Sequence, residues 1–169
     1  MTEPASWIRL LLVRELEAFE RELELFPNDE LVWATLPGIP NPAGTLALHV
    51  SGNLQHFVGH VLGGTSYVRD RDAEFSRRGL PRAALESEIR EAIRVVESVV
   101  PRLSPESMAL EYPESVGGVR FPTGLFLLHL GTHAAHHLGQ AGYLRRALTG
   151  DSRHAGAISI KALASGASA

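Results

Sequence analysis

Residues 123–148 read TGLFLLHLGTHAAHHLGQAGYLRRAL, and the period of this stretch decides the fold. On a helical wheel, at about 100° per residue, Phe126, Leu130, Leu144 and Leu148 share one apolar arc. His129, His133, His137 and Gln140 fall inside that arc, and His136 lies on its edge. An imidazole placed there is not freely solvated. His129, His133 and His137 are spaced i, i+4, i+8, so successive pairs stand one turn apart on nearly one face. Two imidazoles at i, i+4 can reach one metal ion, the spacing that zinc proteases use. Burying two imidazoles side by side is costly unless each finds a partner, and a metal ion supplies both partners at once. Gly150-Asp151 ends the pattern.

Three more helical patterns precede it. The first runs from about residue 4 to 26, with Trp7, Leu10, Leu11, Leu16, Phe19, Leu23 and Phe26 recurring between glutamates that include Glu15 and Glu22. Pro4 suits a first turn. The second runs from about residue 43 to 62 and ends at Gly63-Gly64. The third runs from about residue 81 to 101, with Leu85, Ile89, Ile93, Val96 and Val100 as its apolar stripe. Between these, residues 29–35 have room for one helical turn, and the charged residues 65–79 read as an exposed connection. Residues 104–122 read as irregular, with a short hairpin around Gly117-Gly118. The expectation is an all-α four-helix bundle over residues 1–150. The 28–45 and 104–122 connections are longer than an up-down bundle needs, which implies at least one long crossover. Residues 151–169, rich in Ala, Ser and Gly, read as an irregular C-terminal tail that Ile158, Ile160 and Leu163 could dock.

Composition narrows the function. The chain has 169 residues, a length that buries one sizeable core. Its 16 Lys/Arg against 19 Asp/Glu give a net charge of −3, which argues against nucleic acid as a partner. It has no cysteine, so disulfides, thiolate metal sites and a cysteine nucleophile are excluded. No apolar run is long enough to span a bilayer, and the N-terminal residues lack the pattern of a signal peptide. A cytoplasmic protein is the expectation.

Seven of the eight histidines fall in two short windows, 49–60 and 129–137. In the first, the apolar arc is Leu46, Val50, Leu54, Phe57 and Val61, and His49, Asn53, His56 and His60 run along its flank. A group on a flank can point into the seam between two helices. One histidine of this stripe with two from the last helix would make a three-His site with an open position. His56, His60 and His154 read as packing or boundary residues. His129 is either near the site or packed, and His136 is a boundary residue.

His133-Ala-Ala-His136-His137-Leu-Gly139-Gln140 resembles the H-x-x-x-H-x-G-Q signature in the last bundle helix of the DinB-like superfamily of bacterial, often stress-linked, proteins. Leu46-Ala-Leu-His49-Val-Ser-Gly-Asn53-Leu is similar to that family's helix-two motif. The resemblance implies a divalent metal ion held by His49, His133 and His137, with Gln140 beside them. It implies a homodimer paired through bundle helices, with Gly139 permitting close helix approach. Zinc or nickel suits such a site, iron or manganese being the alternatives. Relatives include transferases and isomerases that use low-molecular-weight thiols, so the first functional expectation is a metal-dependent transferase acting on a small-molecule substrate. Arg69, Arg71, Arg145 and Arg146 could grip such a thiol, or be solvated cations. A metal-dependent hydrolase is the alternative, but it wants a carboxylate base, and no Asp or Glu falls on the site face of the last helix. A non-catalytic metal-binding stress protein is the third reading.

Overall fold

The computed structural model describes residues 3–156. Helix α1 is Glu3–Glu24, α2 is Asp29–Val32 and α3 is Ala43–Leu54. Helix α4 is Arg71–Ser76, α5 is Arg82–Val99, α6 is Pro105–Ala109 and α7 is Thr123–Thr149. Helix α3 runs on through the wider π-helical turns of Gln55–Leu62, closed where Gly63 N–H donates to the Val58 carbonyl at 3.0 Å. Among the described residues there is no strand. Isolated bridges join Glu111 to Pro122 and Val116 to Val119, with left-handed Gly117 and Gly118 turning the second.

The four long helices form the expected bundle. Helix α1 packs on α5 and α7, and α3 packs on the same two. Consecutive α1 and α3 therefore lie across a diagonal, as do α5 and α7, so both long connections are crossovers. Asn28 caps α2, accepting from Leu31 N–H at 2.9 Å. Arg82, at the start of α5, donates to the Phe26 carbonyl at 2.6 Å just beyond α1. The connection before α7 is pinned by Tyr112, fully buried, whose hydroxyl donates to the Phe57 carbonyl at 2.7 Å.

Several faces differ from the wheel reading. Trp7 is 55% exposed, and Ala5, Ile8 and Leu12 take the inward line of α1. Helix α3 has no solvent face at all: Ala43 to Gln55 are buried on every side. Along α7 the expected Phe126, Leu130 and Leu144 are buried, together with Leu127, Ala134, Leu138 and Ala141. Of the histidine stripe, His133 and His137 are half-buried at the edge of this surface and His129 is exposed. Residues 65–79 are not wholly an exposed connection, since they contain α4, capped by Asp70, which accepts from Ala73 N–H at 2.9 Å. Within the chain, among the described residues, a Cβ built at Gly139 meets nothing within 4 Å, so this glycine is not needed for packing inside the bundle.

The charged residues also redistribute. Glu15 is buried, and Glu22 is buried against Arg145, which is 0% exposed and no solvated cation. Arg145 spends its remaining donors on chain beyond α7, on the carbonyls of Asp151 (3.2 Å) and Arg153. Arg21 Nε donates to the Ala155 carbonyl at 3.0 Å. The first residues after α7 are therefore tied to α1 and α7, whereas Ile158, Ile160 and Leu163 lie outside the described residues. A wheel places Glu22 by angle alone and cannot register that a cation arrives from α7. Arg145→Met leaves the Glu22 charge buried without its partner, so it should cost about 3 kcal/mol or more in urea unfolding. The Glu22→Leu/Arg145→Met double variant should recover most of that loss.

Candidate metal centre

His49 lies at the middle of α3, and His133 and His137 face it one turn apart on α7. Their Nε2 atoms converge: His49 to His133 is 3.2 Å and His133 to His137 is 3.1 Å. One nitrogen from each ring lies within 4.8 Å of the others. The rings pack edge to face, with centroids 5.0 Å apart for His49–His133 and 4.5 Å for His133–His137.

The outer nitrogens fix the tautomers. His49 Nδ1 lies 2.9 Å from Glu74 Oε2, and because a carboxylate can only accept, Nδ1 carries the proton. His137 Nδ1 donates to Gln140 Oε1 at 2.8 Å. With Nδ1 protonated on both, their Nε2 lone pairs point at His133. Burial, followed by the neighbouring His137 and His49, pushes the His133 imidazole down to about 3. Burial also lowers His137, against the opposing pull of its Gln140 hydrogen bond. Protonation of His133 therefore does not relieve the crowding of nitrogens near neutral pH.

No Asp or Glu lies on the site face of the last helix, but a carboxylate that the sequence reading missed, Glu74, arrives from α4. It is buried on α4, and Arg69 grips it with two bonds, Nε to Oε1 at 2.7 Å and Nη2 to Oε2 at 2.9 Å. Burial alone would raise its carboxyl. The hydrogen bonds from His49 and Arg69, with the charge of Arg69, more than offset this and hold it below the ordinary range. Arg69 in turn lies over the Phe57 ring, 5.5 Å from its centroid. Gly52 makes room for the group: a Cβ there would overlap the Glu74 carboxylate and stand 3.1 Å from the Tyr67 hydroxyl. The one sequence signal was Asp70 as a helix cap, which a run of mixed charges obscures.

The other candidates are placed elsewhere. His129 is exposed and stacks on Phe126, with centroids 6.0 Å apart, while His136 is exposed beside His137. His56 Nε2 sits 3.0 Å from Glu114 Oε2, and His60 Nδ1 donates to the Thr65 carbonyl at 2.8 Å. His154 is exposed beyond α7. Arg71 is exposed over the Phe75 ring, and Arg146 covers Tyr143. Arg69 is the cation at the cluster, committed to Glu74.

The donor set fits a metal ion. Two ligands on a tetrahedral ion, with bonds of about 2.0–2.1 Å, stand about 3.3–3.4 Å apart, close to the nitrogen spacings here. Each outer nitrogen that faces an acceptor has the arrangement that orients metal-binding histidines.

A helical bundle that brings three imidazoles together from its second and last long helices defines the class. The chain belongs to the DinB superfamily, whose family model matches residues 11–141. Among solved structures it is similar to a DinB-like protein from Bacillus cereus, with a TM-score of 0.62 at 20% identity, covering 79% of this chain and 85% of that one. At that identity the likeness is one of fold. No curated protein gives a match. 

Removing the acceptor should release the His49 tautomer. In Glu74→Ala, long-range 15N–1H spectra of metal-free protein should show His49 losing its Nδ1–H form, and Gly52→Ala should do the same by displacing the carboxylate. An unchanged His49 signal in both would count against this assignment.

Proposed function

We propose that His49, His133 and His137 hold one divalent metal ion, and that the protein is a metal-dependent transferase acting with a low-molecular-weight thiol. The observation that carries the metal reading is the meeting of three Nε2 atoms, two with their lone pairs fixed inward by Glu74 and Gln140. One Nε2–H on His133 can pair with only one of the two lone pairs that face it, which leaves the other without a donor, and a cation turns the whole meeting into three bonds. Zinc or nickel is the first choice for three imidazoles.

Such an ion stabilises a bound thiolate, or polarises a bound water, at neutral pH. The chain's own residues favour the first use. General-base hydrolysis wants a carboxylate free to take a proton. Glu74 accepts from His49 and doubly from Arg69, and these bonds lower its basicity. Its part is to orient His49, while Gln140 orients His137. The homodimer expected from the resemblance stays a proposal, for which the exposed Trp7, Leu125 and Leu128 of α1 and α7 offer apolar surface.

Elemental analysis of protein purified without a histidine tag should find about one divalent ion per chain, lost in His133→Ala and His137→Ala and retained in His60→Ala. Retention in His133→Ala would remove the assignment. The transferase reading is checked by following thiol consumption with a panel of bacterial thiols and electrophiles. Metal-loaded protein should turn over at least one pair, with His49→Ala reducing the rate at least about 100-fold. Ester or lactone hydrolysis without any thiol turnover would select the hydrolase instead.

A further inference from the structure

A cleft of about 470 Å³ shares one residue, Gln140, with the hydrogen-bonded surroundings of the histidine cluster. Its walls are Leu36 and Ile39 from the connection after α2, Leu46 of α3, and Tyr143, Leu144 and Ala147 of α7. Among the described residues no charged side chain lines it. Its polar groups include Gln140, which joins the cleft to the cluster. The Gln140 carbonyl oxygen accepts from His137 Nδ1, which leaves the amide NH2 for whatever lies in the cleft. Leu46 is one turn before His49, and Leu144 is one turn after Gln140. The two helices that carry the imidazoles therefore continue directly into the walls of the cleft. Leu36, Ile39 and Tyr143 are exposed there, Tyr143 at 76%. A concave apolar surface with a few polar groups at one end has the anatomy of a small-molecule site.

We propose that this cleft binds the apolar part of the substrate, which is an amphiphilic small molecule with an uncharged alkyl or aryl group in the cleft and an anionic metal-binding group at the imidazoles. The polar end of this assignment rests on the metal reading. The cleft itself rests on its own lining. The two ends differ in chemistry because the lining has no ion to meet a charge, whereas three neutral imidazoles leave a divalent ion's charge to be met by the ligand.

The test uses zinc-loaded protein and two probes with the same head, acetohydroxamate and octanohydroxamate, titrated by calorimetry. Ala147→Trp fills the cleft from an exposed helical position, and Ile39→Asp charges its rim from an exposed loop. Thermal melts check that both variants fold. Wild type should bind octanohydroxamate at least about tenfold more tightly than acetohydroxamate, from the added methylenes. Both variants should lose most of that gain while binding acetohydroxamate as wild type does. Equal affinity for the two probes in wild type, or a gain that survives both variants, overturns the cleft. A second probe is independent of metal: 1-octanol should shift the Ala147 methyl resonance in wild type with or without zinc. A chain that takes up no zinc yet binds 1-octanol at Ala147 fails the metal reading and its polar end, and keeps the cleft. A dimer in sedimentation that Ala147→Trp dissociates would give the cleft to a second copy of the chain and overturn the proposal.

Discussion

His49 sits on a helix with no side turned to water, and a buried imidazole needs a partner at each ring nitrogen. The local structure follows from meeting that need twice. On one side a carboxylate must arrive, so the chain after α3 folds back as α4 and delivers Glu74. A buried carboxylate needs a cation, and Arg69 supplies it from the same connection. The carboxylate also needs space, which Gly52 leaves open one turn from His49. On the other side His133 must arrive, which fixes how α7 rotates against α3. The charge-rich connection and the glycine of the helix-two motif thus serve one imidazole.

Helix α7 carries three separate lines of side chains. Leu127, Leu130, Ala134, Leu138 and Ala141 fill the core. His133 and His137, one residue round from that line, face α3. Arg145, near the C-terminal end, reaches Glu22 on α1 and the chain beyond Gly150. The packing line sets the rotation of the helix, and that rotation aims the histidines. Arg145 locks the same helix to α1, on which the rest of α7 also packs. A buried ion pair is weak evidence for stability, since desolvation opposes it. Its use here is registry: a small slide of α7 along α1 would strand two opposite charges in the core.

Much of this was readable in the sequence, for identifiable reasons. The long helices announce themselves by period, and their ends by Gly63-Gly64 and Gly150, because period and caps are local properties. His133 and His137 were legible as a pair because i, i+4 spacing is geometry inside one helix. His49 needed the family motif, since its own flank offered His56 and His60 equally well. What stayed hidden is whatever depends on a partner far along the chain. Glu22 and Arg145 look like surface charges until α1 and α7 are side by side. Glu74 looks like one acid among many in residues 65–79, and its burial is decided by α3. Trp7 shows the converse, because bulk and apolarity do not choose a face when Ile8 and Leu12 fit the core better.

The charge balance around the cluster carries the last step. Arg69 cancels Glu74, and burial with its histidine neighbours keeps His133 neutral. As metal ligands the three imidazoles would be neutral and would bring no charge to the centre. Metal sites that include carboxylate ligands neutralise part of a divalent ion before substrate arrives, and this one would not. The missing negative charge must come from whatever completes the coordination. A thiolate, a carboxylate or a hydroxamate brings it, and a neutral alcohol or amide does not. That preference is built into the ligand choice, with Glu74 kept one bond away from the centre. Placing the carboxylate behind His49 instead of in front of it would leave the proposed metal site selective for anionic heads.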